Sequence, residues 1–146
     1  MKALLIRTDG IGEIMDFPEK AKLDWYYEQI GCDYIDIVRP YGIDRIAEKH
    51  GLKSLPDKFC MIVDDEALLK AEPKINVIAS LLYGADDHGQ AICGDVLIAK
   101  NQFTEEGVDS VGMDENDMLL LQSAINGLIE MHNEKVKEAR KDGVDG

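Results

Sequence analysis

The sequence predicts an α+β fold: a sheet of roughly five strands, antiparallel or mixed, with two short helices and one long C-terminal helix. Three observations carry that prediction. Short apolar runs of strand character recur through the first hundred residues, apolar residues at three- and four-residue steps lie between them, and from Met118 onward the helical spacing runs on without a break. No internal repeat, low-complexity tract or linker divides the chain, so residues 1–146 read as a single α+β domain.

Lys2 to Arg7 is rich in branched apolar residues, and Gly12 to Phe17 returns with alternation at Ile14 and Phe17 after the Asp9-Gly10 turn signal, which predicts a hairpin. Pro18 and Glu19 suit a helix start, and Leu23, Tyr26, Tyr27 and Ile30 recur at helical spacing until Gly31, predicting a helix over about 19–30. Tyr34 to Val38 alternates, with Ile35 and Ile37 on the face opposite Tyr34 and Asp36. Residues 41–55 read equally as loop or as a short helix with Ile43, Ile46 and Ala47 inward and Gly51 as its cap. Phe59 to Val63 is a continuous apolar strand that runs into the acid triplet Asp64-Asp65-Glu66, a solvated turn. Ile75, Ile78, Ala79, Leu82 and Tyr83 predict a second short helix ending at Gly84, and Ala91 to Ala99 a last strand, with Gly94 as a bulge or close backbone approach. Residues 101–117 hold six acids and no base and read as an exposed acidic loop. Asp114 is the expected N-cap of a helix over 114–141, one face of which carries Met118, Leu121, Ile125, Leu128, His132 and Val136. At 1.5 Å per residue such a helix runs roughly 40 Å, so its last turns are expected to project or to supply a surface for self-association.

Charge is the strongest compositional signal. The 29 acids outnumber the 16 bases for a formal net charge of −13, which disfavours contact with nucleic-acid phosphates or anionic lipid and favours a partner protein with a basic surface. No apolar run approaches membrane-spanning length, and the apolar run after Lys2 ends at Arg7, unlike a signal peptide, so a cytoplasmic location is expected. Cys32, Cys60 and Cys93 are odd in number and without a CxxC pair, which points to neither a disulfide framework nor a zinc site.

Chemistry-bearing patterns are sparse. His50, His88 and His132 lie in no familiar catalytic signature, and the chain has neither a GxxxxGK[ST] loop nor a GxGxxG turn. Asp64, Asp65, Asp86, Asp87 and His88 are oxygen and imidazole donors of the kind a divalent cation takes, but adjacent residues in turns are more simply polar turns, so no metal, cofactor or enzymatic activity is expected. Trp25, Tyr26 and Tyr27 point to different faces of a helix, two in the core and one exposed.

The run Ile62-Val63-Asp64-Asp65-Glu66, then Pro73, Asn76, Ala79, Leu82 and Gly84, then Ile92-Cys93-Gly94-Asp95-Val96-Leu97-Ile98, resembles the domain of unknown function 3846, a family of small proteins carried by phages, plasmids and integrated elements of bacteria. The opening Met1 to Ile6 and the strand Tyr34 to Val38 extend the resemblance over a core of residues 1–100, with the acidic segment and long helix as additions. The resemblance implies an accessory protein of a mobile element and brings no catalytic residues. Asp64 or Asp65 is expected to satisfy turn amides and Asn76 to bond nearby backbone.

The resulting expectation is a non-enzymatic protein that binds and inhibits a host defence or DNA-handling protein through an acidic, DNA-mimicking surface. Its candidate contact residues are Glu105, Glu106, Asp109, Asp114, Glu115 and Asp117. The alternative is a small-ligand protein that sequesters a nucleotide signal, with Arg39 beside Tyr41 as its anion site.

Overall fold

The computed structural model describes residues 1–51, 57–85 and 89–143, without the side chains of 141–143. In chain order the elements are β1 (Lys2–Ile6), β2 (Gly12–Asp16), α1 (Leu23–Ile30), β3 (Ile35–Val38), α2 (Tyr41–His50), β4 (Phe59–Asp64), a 3₁₀ turn (Ala67–Leu69), α3 (Val77–Tyr83), β5 (Val96–Thr104), β6 (Gly107–Val111) and α4 (Glu115–Gly143). This is the α+β class the sequence predicts, with a sixth strand and a third short helix. The helix reading of residues 41–51 holds, and Leu52–Pro56 lie outside the described residues.

All strand pairs are antiparallel, in the order β2-β1-β5-β4-β3, with β6 also on β5. Lys100 pairs with Phe59 of β4 and with Val111 of β6, so β6 must lie on the β1 side of β5. It follows β1 almost end to end, and Lys2 and Met113 exchange backbone hydrogen bonds of 2.8 and 2.7 Å where the two meet.

Helices cover both faces of the sheet, which explains why β4 reads as an unbroken apolar run. Phe59, Met61 and Val63 point with Ile6, Val96 and Ile98 into a core closed by Ile43 and Ile46 of α2, Ala79 and Leu82 of α3, and Leu121, Ala124 and Leu128 of α4. Cys60, Ile62, Leu97, Ala99, Ala3 and Leu5 point the other way, under Tyr26 and Ile30 of α1. Each large side chain so buried contributes about 1.5–3 kcal/mol. Phe17, Trp25 and Tyr26 pack edge to face around the end of α1, with centroids 5.2 to 6.3 Å apart. α2 and α3 approach so closely at Gly42 that a Cβ there would stand 2.2 Å from the Leu81 carbonyl oxygen.

Asn76 is fully buried and joins three elements. Its Oδ1 accepts from the Ala79 N–H at 3.0 Å as the N-cap of α3, and its Nδ2 donates to the carbonyls of Ile6 at 2.9 Å and Gly94 at 3.0 Å. Gly94, at φ 84°, turns the chain between the Ile75–Cys93 bridge and β5, so the strand expected over 91–99 starts later, at Val96, and runs on to Thr104.

Not every apolar residue of these patterns faces the core. Leu23, Ile14 and Ile37 are exposed: Leu23 stands on the outer side of α1, and Ile14 and Ile37 lie on the edge strands β2 and β3, beyond the reach of the covering helices. On α4 the buried stripe is Asp117, Leu121, Ala124 and Leu128, while His132 is exposed. The helix stays against the core through Met131, and its apolar stripe up to that point is covered by its own chain. No helix among the described residues is long and apolar enough to cross a membrane.

Candidate functional site

The segment 101–117, expected as a loop, is a hairpin arm followed by a capped helix start. Thr104 pairs with Gly107 across a two-residue turn made of Glu105 and Glu106, and the register continues through Phe103–Val108, Gln102–Asp109 and Asn101–Ser110. The acids did not prevent a strand because they stand at the turn and on a solvated face, where nothing opposes their charge. Residues 102–109 are all exposed, so the arm extends past the covering helices.

The arm is rooted firmly. The Asn101 amide donates to the carbonyls of Asp57 at 3.0 Å and Phe59 at 3.2 Å. Ser110 Oγ lies 3.5 Å from Cys60 Sγ and also hydrogen-bonds Tyr26 of α1. Burial pushes the Tyr26 phenol and the Cys60 thiol up, and the bonds to Ser110 only partly oppose it. Both groups therefore stay neutral near pH 7 and act as packing and hydrogen-bonding groups.

The six acids expected to form one surface divide into three sets. Glu105, Glu106 and Asp109 are exposed on the arm, and none makes an ion pair among the described residues. Asp114 and Glu115 are exposed at the start of α4, where Asp114 Oδ1 caps the helix by accepting from the Asp117 N–H at 2.8 Å. Asp117 leaves the contact set: its side chain is 3% exposed and lies between Lys58 at 3.0 Å and Lys100 at 3.2 Å. It also accepts from the Asp114 N–H at 3.0 Å, which completes a reciprocal capping box with Asp in the usual Glu position. Sequence reading missed this because its two lysines come from β5 and the approach to β4. It also missed the apolar pair on the arm, Phe103 and Val108, which are 66% and 56% exposed. The local hint was Gly107 after Glu105-Glu106, with β-branched Val108 and Val111 following it but no apolar–polar alternation.

Arg39 and Tyr41 do come together, with the guanidinium carbon 5.6 Å from the ring centroid. The same guanidinium pairs with Asp44 at 2.8 Å and Asp57 at 2.7 Å, so an anionic ligand would compete there with two carboxylates. Asp57 takes part from an unusual backbone position, φ 65°.

At the opposite end of the sheet, Asp64 closes β4. Its Oδ1 accepts from the Glu66 N–H at 3.0 Å, the turn role expected of it, and its Oδ2 pairs with Lys70 at 2.7 Å. The hydrogen bond that Lys70 donates to Asp64 pushes its ammonium up, and burial pushes the nearby Cys32 thiol up. An open cleft of about 370 Å³ beside them is lined by Tyr27, Cys32, Asp33, Asp64, Glu66 and Lys70. Both Asp64 oxygens are engaged within the chain. Among the described residues no group of three or more His, Cys, Asp or Glu stands in metal-binding proximity. Asp86, Asp87 and His88 lie outside the described residues. His50 and His132 are exposed at the end of α2 and on α4.

No protein-family model, no curated protein and no solved structure matches the chain.

Proposed function

We propose that this chain is a non-enzymatic binding protein that engages a partner with a basic surface through the β5–β6 arm. The observation carrying the reading is that Glu105, Glu106 and Asp109 stand exposed beside Phe103 and Val108 on a rooted arm, with no ion pair among the described residues. Large apolar side chains ringed by unpaired charge are what a protein interface uses for anchorage and steering. The net charge of −13 acts in the same direction at longer range. The resemblance to a family of mobile-element proteins extends the proposal to a host defence or DNA-handling protein as the target, with the acids standing in for nucleic-acid phosphates. Asp114 and Glu115 belong to the same proposed surface, and Asp117 serves it only by fixing the helix start.

Tagged protein and the E105Q/E106Q/D109N variant, used in parallel to capture partners from bacterial lysate, test this. A stoichiometric partner retained at low salt, weakened at least about tenfold by raising salt from about 0.05 to 0.5 M, and lost with the variant is the expected result. Capture indifferent to both salt and the variant overturns it.

A further inference from the structure

Among the described residues the outer sides of β2, β3 and β6 are open, as is the short end of β5 beyond Asn101 on its β4 side. β2 is flanked by the ion pairs Lys2–Asp16 and Arg7–Glu13, and β3 has only four residues with Asp36 among them, devices that blunt an edge against added strands. β6 is one residue longer than β3 and makes no ion pair among the described residues, and its single charge, Asp109, stands on one face only. Thr104 and Gly107, which flank the two-residue turn, form a hydrogen-bonded pair, so alternation makes Gln102–Asp109 and Lys100–Val111 bonded pairs as well. Val108 and Ser110 then turn their N–H and C=O groups away from β5. The Asn101 N–H, one step out of phase, points to the other side of β5 and donates to the Lys58 carbonyl at 2.9 Å, as that alternation requires. Among the described residues no group meets the backbone N–H or C=O of Val108 or Ser110.

The two faces of this edge differ. One presents the exposed Phe103–Val108 pair, in the non-bonded register that brings cross-strand side chains closest. The other presents Asp109 beside Gln102, with Glu105 and Glu106 at the tip. We propose that the outer edge of β6 accepts an added strand from the partner, an extended segment in which apolar residues alternate with Lys or Arg. Its apolar side chains cover Phe103 and Val108, its cations face Asp109 and the tip acids, and its backbone satisfies Val108 and Ser110. A second copy of this chain is the poorer occupant, because β6 holds no base and antiparallel self-pairing would set acid beside acid. The inference rests on the acidic-arm reading and adds backbone pairing to it.

The test is amide exchange and titration of the full ¹⁵N-labelled chain with short synthetic peptides of alternating Lys-Val and alternating Glu-Val. The Lys-Val peptide is expected to slow exchange at Val108 and Ser110 at least about tenfold, and the Glu-Val peptide to leave both unchanged. Val108→Pro removes an outward N–H without breaking a bond to β5 and is expected to weaken the Lys-Val peptide at least about tenfold. Loss of binding in E105Q/E106Q/D109N together with full binding by Val108→Pro overturns strand addition and leaves the charged-arm reading standing. Binding unchanged in both variants overturns the two together. Where Val108→Pro disturbs the arm, the unmodified chain decides: saturation by the Lys-Val peptide with no added protection at Val108 and Ser110 overturns the proposal. A peptide-free dimer by sedimentation that Val108→Pro abolishes also overturns it, in favour of a second copy.

Discussion

Replacing Asp117 by Asn separates its structural role from the binding role its neighbours carry. The carboxylate is almost fully buried between Lys58 and Lys100 and accepts from the Asp114 N–H. Burial alone would raise its pKa, but the bond from Asp114 and the two lysines outweigh it and bring the group from 3.8 down to about 2. At about 1.4 kcal/mol per unit, that gap corresponds to about 2 kcal/mol of stability. The sign follows from a depressed folded-state pKa: the contribution is full above about pH 4, where the unfolded chain is also ionised, and is lost as the pH falls toward 2. By pH 3 the unfolded carboxyl is mostly protonated and the folded one is not, so about 1 kcal/mol should already be gone. Asn keeps an oxygen for the Asp114 N–H but leaves two ammonium groups facing a neutral amide. Urea unfolding should therefore show Asp117→Asn about 2 kcal/mol less stable at pH 7, the gap narrowing to about 1 kcal/mol at pH 3. A difference under about 0.5 kcal/mol at pH 7, or one that stays constant down to pH 3, would refute the assignment of this carboxylate as a charged structural bridge.

Two further substitutions probe how the layers are held. Asn76→Ala removes the cap of α3 and strands the buried carbonyls of Ile6 and Gly94, and should cost about 3 kcal/mol in urea unfolding; a loss below about 1 kcal/mol would mean that those carbonyls find other partners. Gly42→Ala improves helix propensity by about 1 kcal/mol, yet its Cβ would meet the Leu81 and Leu82 carbonyl oxygens at 2.2 and 2.9 Å. The backbones of α2 and α3 must part, so a net loss of about 2 kcal/mol is expected, and a net gain would show that the helices have room to separate.

What could be read in the sequence was local. The first hairpin follows from a turn signal between apolar runs, β4 from the continuous apolar run Phe59 to Val63, α1 and α3 from helical spacing ended by Gly31 and Gly84, and the Asp114 cap from its place before Glu115 and Asp117. Asn76 was legible as a cap, because Ala79, its cap partner, lies three residues along the chain. The arm was not, since the outer half of β5 is solvated on both faces and lacks the inside-outside alternation that marks a strand. The extra short helix was ambiguous because Ile43, Ile46 and Ala47 give only one brief apolar face.

The candidate site divides in the same way. Sequence alone determined that the chain is strongly acidic and that its acids are densest after Asn101, since charge is a property of composition and needs no fold. Only the tertiary structure decided which of those acids face water. Asp109 and Asp117 are the same residue type in the same acidic stretch, yet one lies exposed on an open strand and the other is sealed between Lys58 and Lys100. The difference is made by two cations brought from elsewhere in the chain, and by a strand whose outer edge is left without a neighbour. Such juxtapositions belong to long-range packing, which no local pattern of residues encodes.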